Sequence, residues 1–372
     1  MTKLERFGHG GDLETAVELY GYDKRQWLDF SANIYPYGPP CAVIKHLQSL
    51  LNEPGFHSLT HYPDPDSRKL RQRIGEHHQI DIDWVMVGNG GAELIDLVIH
   101  GLAPKRVGVL EPAFSEYSSS ARKRNVSVQS IVSDWEKGFI PDPEEVAQLI
   151  ASSDLVFIGV PNNPTGHLIP VSLLREWARM AAMKKTWLVI DEAFLDFVIK
   201  GEEHSLIREI DRYPTTFILR SMTKFYALPG LRLGYMIGHP DVLRRIKEQQ
   251  VPWSVNALAQ EAGAVALLPE VHAPYANEVH QWLQETRLEL MELFKDFHEL
   301  EVFSGEANYF LLRLTAPGYT SIWLQEELGK KGILIRDCSM YPGLDERYFR
   351  IAIKKREQNQ VLVQALQEVL CK

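Results

Sequence analysis

Residues 221–235 read Ser-Met-Thr-Lys-Phe-Tyr-Ala-Leu-Pro-Gly-Leu-Arg-Leu-Gly-Tyr, and they follow the short apolar run Thr-Phe-Ile-Leu at 216–219. The apolar run predicts a buried strand, which places Ser221, Lys224 and Arg232 beyond its carboxyl end. Ligands of α/β proteins bind at the carboxyl ends of strands. Burial lowers the pKa of a lysine and makes its amine reactive, whereas arginine and hydroxyl groups bind phosphate. The stretch therefore predicts a covalent catalyst, Lys224, beside a phosphate site formed by Ser221 and Arg232.

Two other interpretations of this stretch are open. A lysine at the end of a strand can extend its ammonium group into solvent while its carbon chain packs against apolar residues. Ser221 and Lys224 also match the S-x-x-K signature of penicillin-binding proteins. That signature is accompanied by S-D-N and K-T-G, and neither string occurs in this sequence, so serine acylation is the weaker alternative.

The composition restricts the class of protein. The chain has 372 residues, 45% hydrophobic and 24% charged, with a net charge of −9, which is typical of a soluble globular protein and argues against a nucleic-acid binder. Cys41, Cys338 and Cys371 are scattered and suggest neither disulfides nor a metal site. No H-E-x-x-H motif occurs, so we expect no metal catalysis. Residues 1–12 lack an apolar secretion segment and no run is long enough to span a membrane; we expect a cytoplasmic protein.

Apolar runs alternate with helical patterns through the middle of the chain. The runs occupy residues 84–87, 107–110, 155–160, 187–190, 216–219 and 234–238. Continuous apolar strands separated by helices predict an α/β fold with a mostly parallel sheet covered on both faces. Beyond residue 265, a long amphipathic helix and three strand-like runs indicate a smaller α+β domain. We expect an N-terminal arm (1–50) that packs with this small domain (266–372), and a large ligand-binding domain (51–265) between them.

Several polar residues at strand ends are candidates for binding. Residues 88–93, Gly-Asn-Gly-Gly-Ala-Glu, contain only two glycines of a dinucleotide fingerprint, but a glycine-rich turn at a helix N-terminus suits one phosphate; a turn without a ligand is the alternative. Asp191 follows four apolar residues and needs a partner, either a helix N-terminus or a pyridinium N–H. Asn163 is a turn residue by default. Arg336 and Arg350 lie in apolar strands and indicate anion binding, or an interdomain salt bridge.

Taken in order, these motifs resemble the fold-type I pyridoxal-phosphate enzymes of the aspartate aminotransferase superfamily, and the resemblance covers the whole chain. It implies that Lys224 binds pyridoxal 5'-phosphate covalently and that Asp191 pairs with the ring nitrogen. Asn163 would contact the 3-hydroxyl group, and Phe114 would stack on the ring. The residues implied for the cofactor phosphate are Gly90, Gly91, Ala92, Ser221 and Arg232, with Tyr62 supplied by the other subunit of a homodimer.

Within that superfamily, two families compete. The segments 9–11 (His-Gly-Gly), 29–34 (Asp-Phe-Ser-Ala-Asn-Ile) and 191–197 (Asp-Glu-Ala-Phe-Leu-Asp-Phe) resemble those of the threonine-phosphate decarboxylases of cobalamin biosynthesis. The histidinol-phosphate aminotransferases usually have tyrosine where Phe194 stands. The resemblance to the decarboxylases implies decarboxylation of L-threonine O-3-phosphate to (R)-1-amino-2-propanol O-2-phosphate.

The resemblance also implies a substrate site. His9, Asn33 and Arg336 would bind the substrate phosphate, with Arg350 at its carboxylate and Asn163 nearby. Three residues, Tyr35, Tyr37 and Met340, depart from the family pattern, so O-phosphoserine is also a candidate substrate. Transamination of a phosphorylated amine and a non-catalytic cofactor-binding protein are the alternative functions.

Overall fold

The computed structural model describes Leu4 and residues 10–370, and its elements follow the alternation in the sequence. The strands are β1 (Leu28–Asp29), β2 (Val85–Gly88), β3 (Arg106–Glu111), β4 (Ser127–Val132), β5 (Leu155–Gly159), β6 (Trp187–Asp191), β7 (Thr216–Ser221), β8 (Gly234–Ile237), β9 (Leu300–Phe303), β10 (Tyr309–Leu314), β11 (Ile333–Leu334), β12 (Arg336–Asp337) and β13 (Tyr348–Ala352).

The helices lie between these strands and flank them. They are α1 (Leu13–Tyr20), α2 (Cys41–Asn52), α3 (His57–Thr60), α4 (Arg68–His78), α5 (Gly91–Leu102), α6 (Glu116–Lys123), α7 (Pro143–Ser152), α8 (Val171–Lys184), α9 (Pro240–Lys247), α10 (Ala257–Ala266), α11 (Pro269–Phe294), α12 (Ser321–Gly329) and α13 (Arg356–Leu370). The long helix predicted beyond residue 265 is α11, which begins at Pro269, because proline is well accommodated in the first turn of a helix.

The largest sheet has seven strands in the order β2-β8-β7-β6-β5-β3-β4. Strand β8 runs antiparallel to both neighbours and the other pairs are parallel, so the prediction of a mostly parallel sheet is confirmed. The register pairs Asp191 with Leu219 and Ser221 with Gly234. The carboxyl ends of β6 and β7 therefore meet at one edge of the sheet.

Strand β4 was not predicted from the sequence. It forms the edge of the sheet next to β3, and its residues Ser-Val-Gln-Ser-Ile-Val are only partly buried. The central strands β5 and β7 are buried along their whole length. A central strand is apolar on both faces and is visible as a continuous run, whereas an edge strand with one wet face mixes polar and apolar residues.

The C-terminal part contains a second, antiparallel sheet in the order β12-β13-β10-β9. One of the three strand-like runs predicted beyond residue 265, Gly-Ile-Leu-Ile-Arg at 332–336, divides at Ile335. Strand β11 pairs with β1 in parallel, and β12 pairs with β13. The N-terminal segment therefore contacts the C-terminal part through β1, and the Phe30 carbonyl accepts a hydrogen bond from the Ala352 amide at 2.8 Å. The three-part domain division stays a prediction. Among the described helices, none combines the length and apolar character needed to cross a membrane.

Candidate active site

A cleft opens at the carboxyl edge of the seven-stranded sheet, above β5, β6 and β7. It brings together residues from six separate parts of the sequence. Those among the predicted site residues that line it are Gly91, Ala92, Phe114, Asn163, Asp191, Ser221, Lys224 and Arg232. Residues that lie up to about 140 positions apart in the chain thus share one wall, because parallel strands end at the same edge of a sheet.

Lys224 lies in the turn that follows β7, and its amine is held inside the cleft. Its Nζ donates to Ser221 Oγ at 3.1 Å and lies 5.7 Å from the centre of the Phe194 ring. Burial lowers the pKa of Lys224 to about 8; the Asp191 carboxylate opposes this shift, and the positive charges of Arg232 and Arg350 add to it. A much larger fraction of this amine than of an ordinary lysine is therefore neutral and nucleophilic near neutral pH, as covalent catalysis requires.

Asp191 ends β6 and is buried in the cleft wall. Burial raises the pKa of this carboxyl group, while the Tyr117 hydroxyl, the Lys224 charge and the Ala193 amide oppose the shift. The Tyr117 hydroxyl donates to Asp191 Oδ2 at 2.6 Å, and the Ala193 amide donates to Oδ1 at 3.0 Å. Neither contact is with a helix N-terminus, which was one of the two alternative partners for this carboxylate, and Asp191 lines the cleft.

Tyr117 is a site residue that sequence reasoning missed. It lies in the first turn of α6, three residues after Phe114, and its ring stacks on Phe157 with centroids 4.9 Å apart. Residues three apart at the start of a helix share a face, so the Phe-x-x-Tyr spacing was the available signal. The partner of the Tyr117 hydroxyl, Asp191, lies 74 residues away in the chain and could not be predicted from this spacing.

The turn between β2 and α5 forms a cup for an anion. Gly90 has φ 82°, in the left-handed region, and a Cβ there would lie 2.9 Å from Arg232 Nη2. A Cβ on Gly91 would meet open space, whereas one on Gly234 would lie 3.0 Å from the Gly91 nitrogen. Gly234, which was not predicted as part of the site, therefore lets β8 approach the cup closely.

Hydroxyl groups complete this cup. Ser221 Oγ lies 2.8 Å from Thr223 Oγ1, and both residues are buried; Thr223 was not predicted. Free N–H groups at the N-terminus of α5, two hydroxyls and the Arg232 guanidinium form a donor set that suits a phosphate group. With an amine on one side and a carboxylate on the other, these residues fit pyridoxal phosphate.

Two buried arginines lie on the second sheet, and one of them, Arg350, contacts the cleft residue Asn163. Arg336 and Arg350 are directly opposite each other on β12 and β13, and they are only 3% and 5% exposed. Arg350 donates to the Asn163 side-chain oxygen and to the Ser31 carbonyl, the latter at 2.9 Å. Its Nε is buried without a hydrogen-bond partner among the described residues. The Asn163 oxygen is thus already engaged, which leaves its NH₂ group as the donor toward a ligand.

Other predicted residues lie outside the cleft or outside the described part of the chain. Tyr62 is 81% exposed and stacks on Trp253, with centroids 4.7 Å apart. Asn33 is buried, and its Oδ1 has no partner among the residues that the structure describes. His9 lies outside the described residues. Tyr37 and Met340 are more than half exposed and Tyr35 is buried.

Phe194 is the residue that the resemblance described above uses to separate the two families. Its ring is buried beside Lys224 and packs edge-on against Tyr309, with centroids 5.1 Å apart. A phenylalanine places an apolar edge where a tyrosine would place a hydroxyl group. The surroundings of the Lys224 amine therefore lack that donor.

The comparisons agree with this geometry. The family model "Aminotransferase class I and II" matches residues 25–366. The threonine-phosphate decarboxylase of Salmonella typhimurium is 38% identical over 363 residues, which cover 97% of this chain and 96% of that protein.

Two solved structures show the same architecture. The histidinol-phosphate aminotransferase from Clostridium acetobutylicum aligns with a TM-score of 0.84 and 33% identity over 92% of this chain and 99% of that one. The L-threonine-O-3-phosphate decarboxylase from Porphyromonas gingivalis aligns with a TM-score of 0.79 and 27% identity, with the same coverage. The chain therefore belongs to the class I and II aminotransferase family, has the fold of the fold-type I enzymes, and uses pyridoxal phosphate as its cofactor.

Proposed function

We propose that this enzyme decarboxylates L-threonine O-3-phosphate to (R)-1-amino-2-propanol O-2-phosphate, a building block of the cobalamin nucleotide loop. The observation that carries the proposal is the pair formed by Arg336 and Arg350. Like charges directly opposite each other on neighbouring strands destabilise a sheet, and these two guanidinium groups are buried. A substrate with two anionic groups, a phosphate and a carboxylate, would offset that repulsion and match the geometry of arginine.

The relatives support the same choice of chemistry. The full-length relative from Salmonella carries the name threonine-phosphate decarboxylase, and Phe194 stands where the aminotransferases usually have tyrosine. An aminotransferase that binds glutamate would also need two guanidinium groups for its two carboxylates. Transamination of a phosphorylated amine, as in histidinol-phosphate aminotransferases, is therefore the second candidate, and O-phosphoserine is the second candidate substrate.

Each residue has a defined part in the proposed reaction. The bound cofactor supplies an electron sink for the electron pair left at the substrate Cα when the carboxylate leaves. Lys224 presents a neutral amine to the cofactor and, once displaced, can hold a proton at Nζ and return it to Cα. Asp191, fixed by Tyr117, presents a carboxylate to the ring nitrogen. Arg336, with Asn33, would hold the substrate phosphate.

The orientation of the substrate decides which bond at Cα breaks. Arg350 would hold the carboxylate, and its contacts with Asn163 and Ser31 fix the guanidinium relative to the cofactor cleft. The apolar Phe194 ring beside Lys224 gives no second proton carrier at that side. The hold of Arg350 on the carboxylate would determine which bond at Cα breaks. The apolar Phe194 ring would favour return of the proton to Cα over its transfer to the cofactor, which would lead to transamination.

A homodimer is part of the proposal. The exposed stack of Tyr62 on Trp253 leaves the Tyr62 hydroxyl available to a second copy of the chain, where it would reach the cofactor phosphate. The location in the cytoplasm likewise stays a prediction.

The decisive experiment uses the purified holoenzyme and no oxoacid. Incubation with L-threonine O-3-phosphate should give CO₂ and aminopropanol phosphate in equal amounts, faster than with O-phosphoserine. Lys224→Ala should abolish turnover, whereas Lys200→Ala, which changes an exposed lysine, should not. Turnover that requires 2-oxoglutarate and histidinol phosphate would replace the decarboxylase with the aminotransferase.

A further inference from the structure

Residues 30–38, which we call the strap, connect the second sheet to the catalytic lysine. At one end, the carbonyl groups of residues 30–32 each accept a hydrogen bond from β13 or the residues after it. The donors are the amide of Ala352 at 2.8 Å, the guanidinium of Arg350 at 2.9 Å and the ammonium of Lys354 at 2.9 Å. This end of the strap is therefore fixed to the strand that presents Arg350.

At the other end, the strap is bonded to the turn that contains Lys224. The Tyr35 amide donates to the Lys224 carbonyl at 3.1 Å. The Tyr275 hydroxyl, from α11, lies 2.9 Å from both the Gly38 and the Phe225 carbonyl oxygens, and its single proton is shared between them. Two independent bridges thus join the strap to residues 224 and 225.

The Tyr35 side chain anchors this junction to α11. It is 2% exposed, its hydroxyl donates to Glu278 Oε1 at 2.9 Å, and its ring packs edge-on against Tyr275 and Trp282 at centroid distances of 5.5 and 5.1 Å. Edge-to-face aromatic pairs have defined geometry. The Tyr35 backbone, and the Lys224 carbonyl that it contacts, therefore have one preferred position relative to the helix.

We propose that Tyr35 and Tyr275 are positioning residues that hold the strap and the lysine turn as one unit, so that the Lys224 amine keeps a fixed place relative to the groups that orient the substrate. Asn33 lies two residues before Tyr35, and Arg350 bonds the Ser31 carbonyl. A displaced strap would shift both groups with respect to Lys224. The role of Asn33 and Arg350 toward substrate rests on the proposed function; the coupling of strap and lysine turn does not.

The first test measures hydrogen–deuterium exchange of the holoenzyme without substrate. Tyr35→Phe and Tyr275→Phe keep the rings and remove only the hydroxyl groups. Loss of about one net hydrogen bond should speed exchange roughly five- to tenfold in peptides from both the strap and residues 222–228. Tyr22→Phe is the matched control, because the Tyr22 hydroxyl also ties the N-terminal segment to the C-terminal part, at the Lys330 carbonyl, but does not approach Lys224.

A conservative variant separates positioning from packing. Glu278→Gln keeps an acceptor for the Tyr35 hydroxyl at an exposed position, so it should retain slow exchange in both segments. Faster exchange in Tyr35→Phe confined to the strap, with residues 222–228 unchanged, would overturn the proposal. Equal effects of Tyr22→Phe and Tyr35→Phe would overturn it as well.

A second readout reports on Lys224 itself. The visible absorbance of the cofactor bound to Lys224 changes with pH, and its midpoint should move in Tyr35→Phe and Tyr275→Phe but not in Tyr22→Phe. With L-threonine O-3-phosphate, the two strap variants should also lose the cofactor to abortive transamination more often per CO₂ released. If the wild-type enzyme releases no CO₂, the proposed function fails, while the exchange and absorbance results still decide the coupling.

Discussion

Removing the Tyr117 hydroxyl should destabilise the protein by an amount that grows with pH. The hydroxyl donates to Asp191 Oδ2 at 2.6 Å, and both side chains are buried. Tyr117→Phe keeps the stack on Phe157 and removes only the donor. A hydrogen bond to a charged group contributes about 1.5–3 kcal/mol to stability. That value is therefore the expected loss when Asp191 is ionised.

The direction of the pH dependence follows from the pKa of Asp191. Burial raises this pKa in the folded protein, and the Tyr117 hydroxyl opposes the shift. Without the hydroxyl, the pKa rises further, so the folded variant retains the proton to higher pH than the wild type does. A carboxyl group whose pKa is higher in the folded state costs stability as pH rises above its unfolded value. The difference between variant and wild type should be small at low pH, where Asp191 is protonated in both folded proteins, and should grow with pH until Asp191 is ionised in both.

The assay is thermal unfolding of the cofactor-free protein at several pH values. For a chain of this length, an average unfolding entropy of about 2 cal/mol/K per residue converts 1.5–3 kcal/mol into a decrease of about 2–4 °C in Tm. Tyr213→Phe, which also alters a buried tyrosine but lies away from Asp191, controls for loss of a hydroxyl group. A decrease in Tm that is the same at every pH would refute the assigned contact, because only an ionising partner makes the loss depend on pH.

Three further predictions concern the cleft. Capture of pyridoxal phosphate by the apoprotein should accelerate through a midpoint near pH 8, because burial lowers the pKa of Lys224 to about 8; stopped-flow absorbance measures this, and a midpoint above pH 10 would contradict it. Gly234→Ala should weaken cofactor binding about tenfold, because the new Cβ would lie 3.0 Å from the Gly91 nitrogen. Titration of the apoprotein measures this affinity, and an unchanged value would contradict the assignment of the turn between β2 and α5 as the phosphate site. Arg350→Lys should raise KM for the phosphorylated amino acid about 10- to 100-fold with little change in cofactor affinity, because lysine cannot reproduce the paired contacts to Asn163 and Ser31. Steady-state kinetics measure this effect, and an unchanged KM would show that Arg350 does not bind the substrate.

The sequence predicted those site residues that follow a buried strand. Asp191 and Lys224 come after strands that are visible as apolar runs, and strand ends meet at one edge of a sheet whatever the details of the loops. Their neighbourhood in space thus follows from topology alone. The mostly parallel sheet was predictable for the same reason, whereas the wet edge strand β4 was not.

Contacts between elements that are distant in the chain could not be predicted from the sequence. Tyr117 reaches Asp191 from a helix 74 residues earlier, and Tyr275 reaches Phe225 from a helix 50 residues later. A tyrosine on a helix normally packs in the core, and the local sequence pattern does not show which group its hydroxyl contacts. Gly234 was missed because its role is set by the approach of another chain segment, the Gly91 nitrogen, and not by its own conformation.

The alternation of side chains along a strand also explains which residues support the cleft from the opposite face of the sheet. Successive residues of a strand point to opposite faces, so Ser221 faces the cleft and the preceding Arg220 points away from it. There Arg220 donates to Glu192 Oε2 at 2.8 Å and also pairs with Asp196 and Glu202. Burial raises the pKa of Glu192 to about 8, although the charge of Arg220 opposes the shift. Loss of Arg220 would therefore raise this pKa further. Glu192 follows Asp191 in the chain, and Arg220 precedes Ser221. The buried contact between Glu192 and Arg220 therefore joins the ends of β6 and β7 next to the two residues whose side chains, the Asp191 carboxylate and the Ser221 hydroxyl, line the cleft.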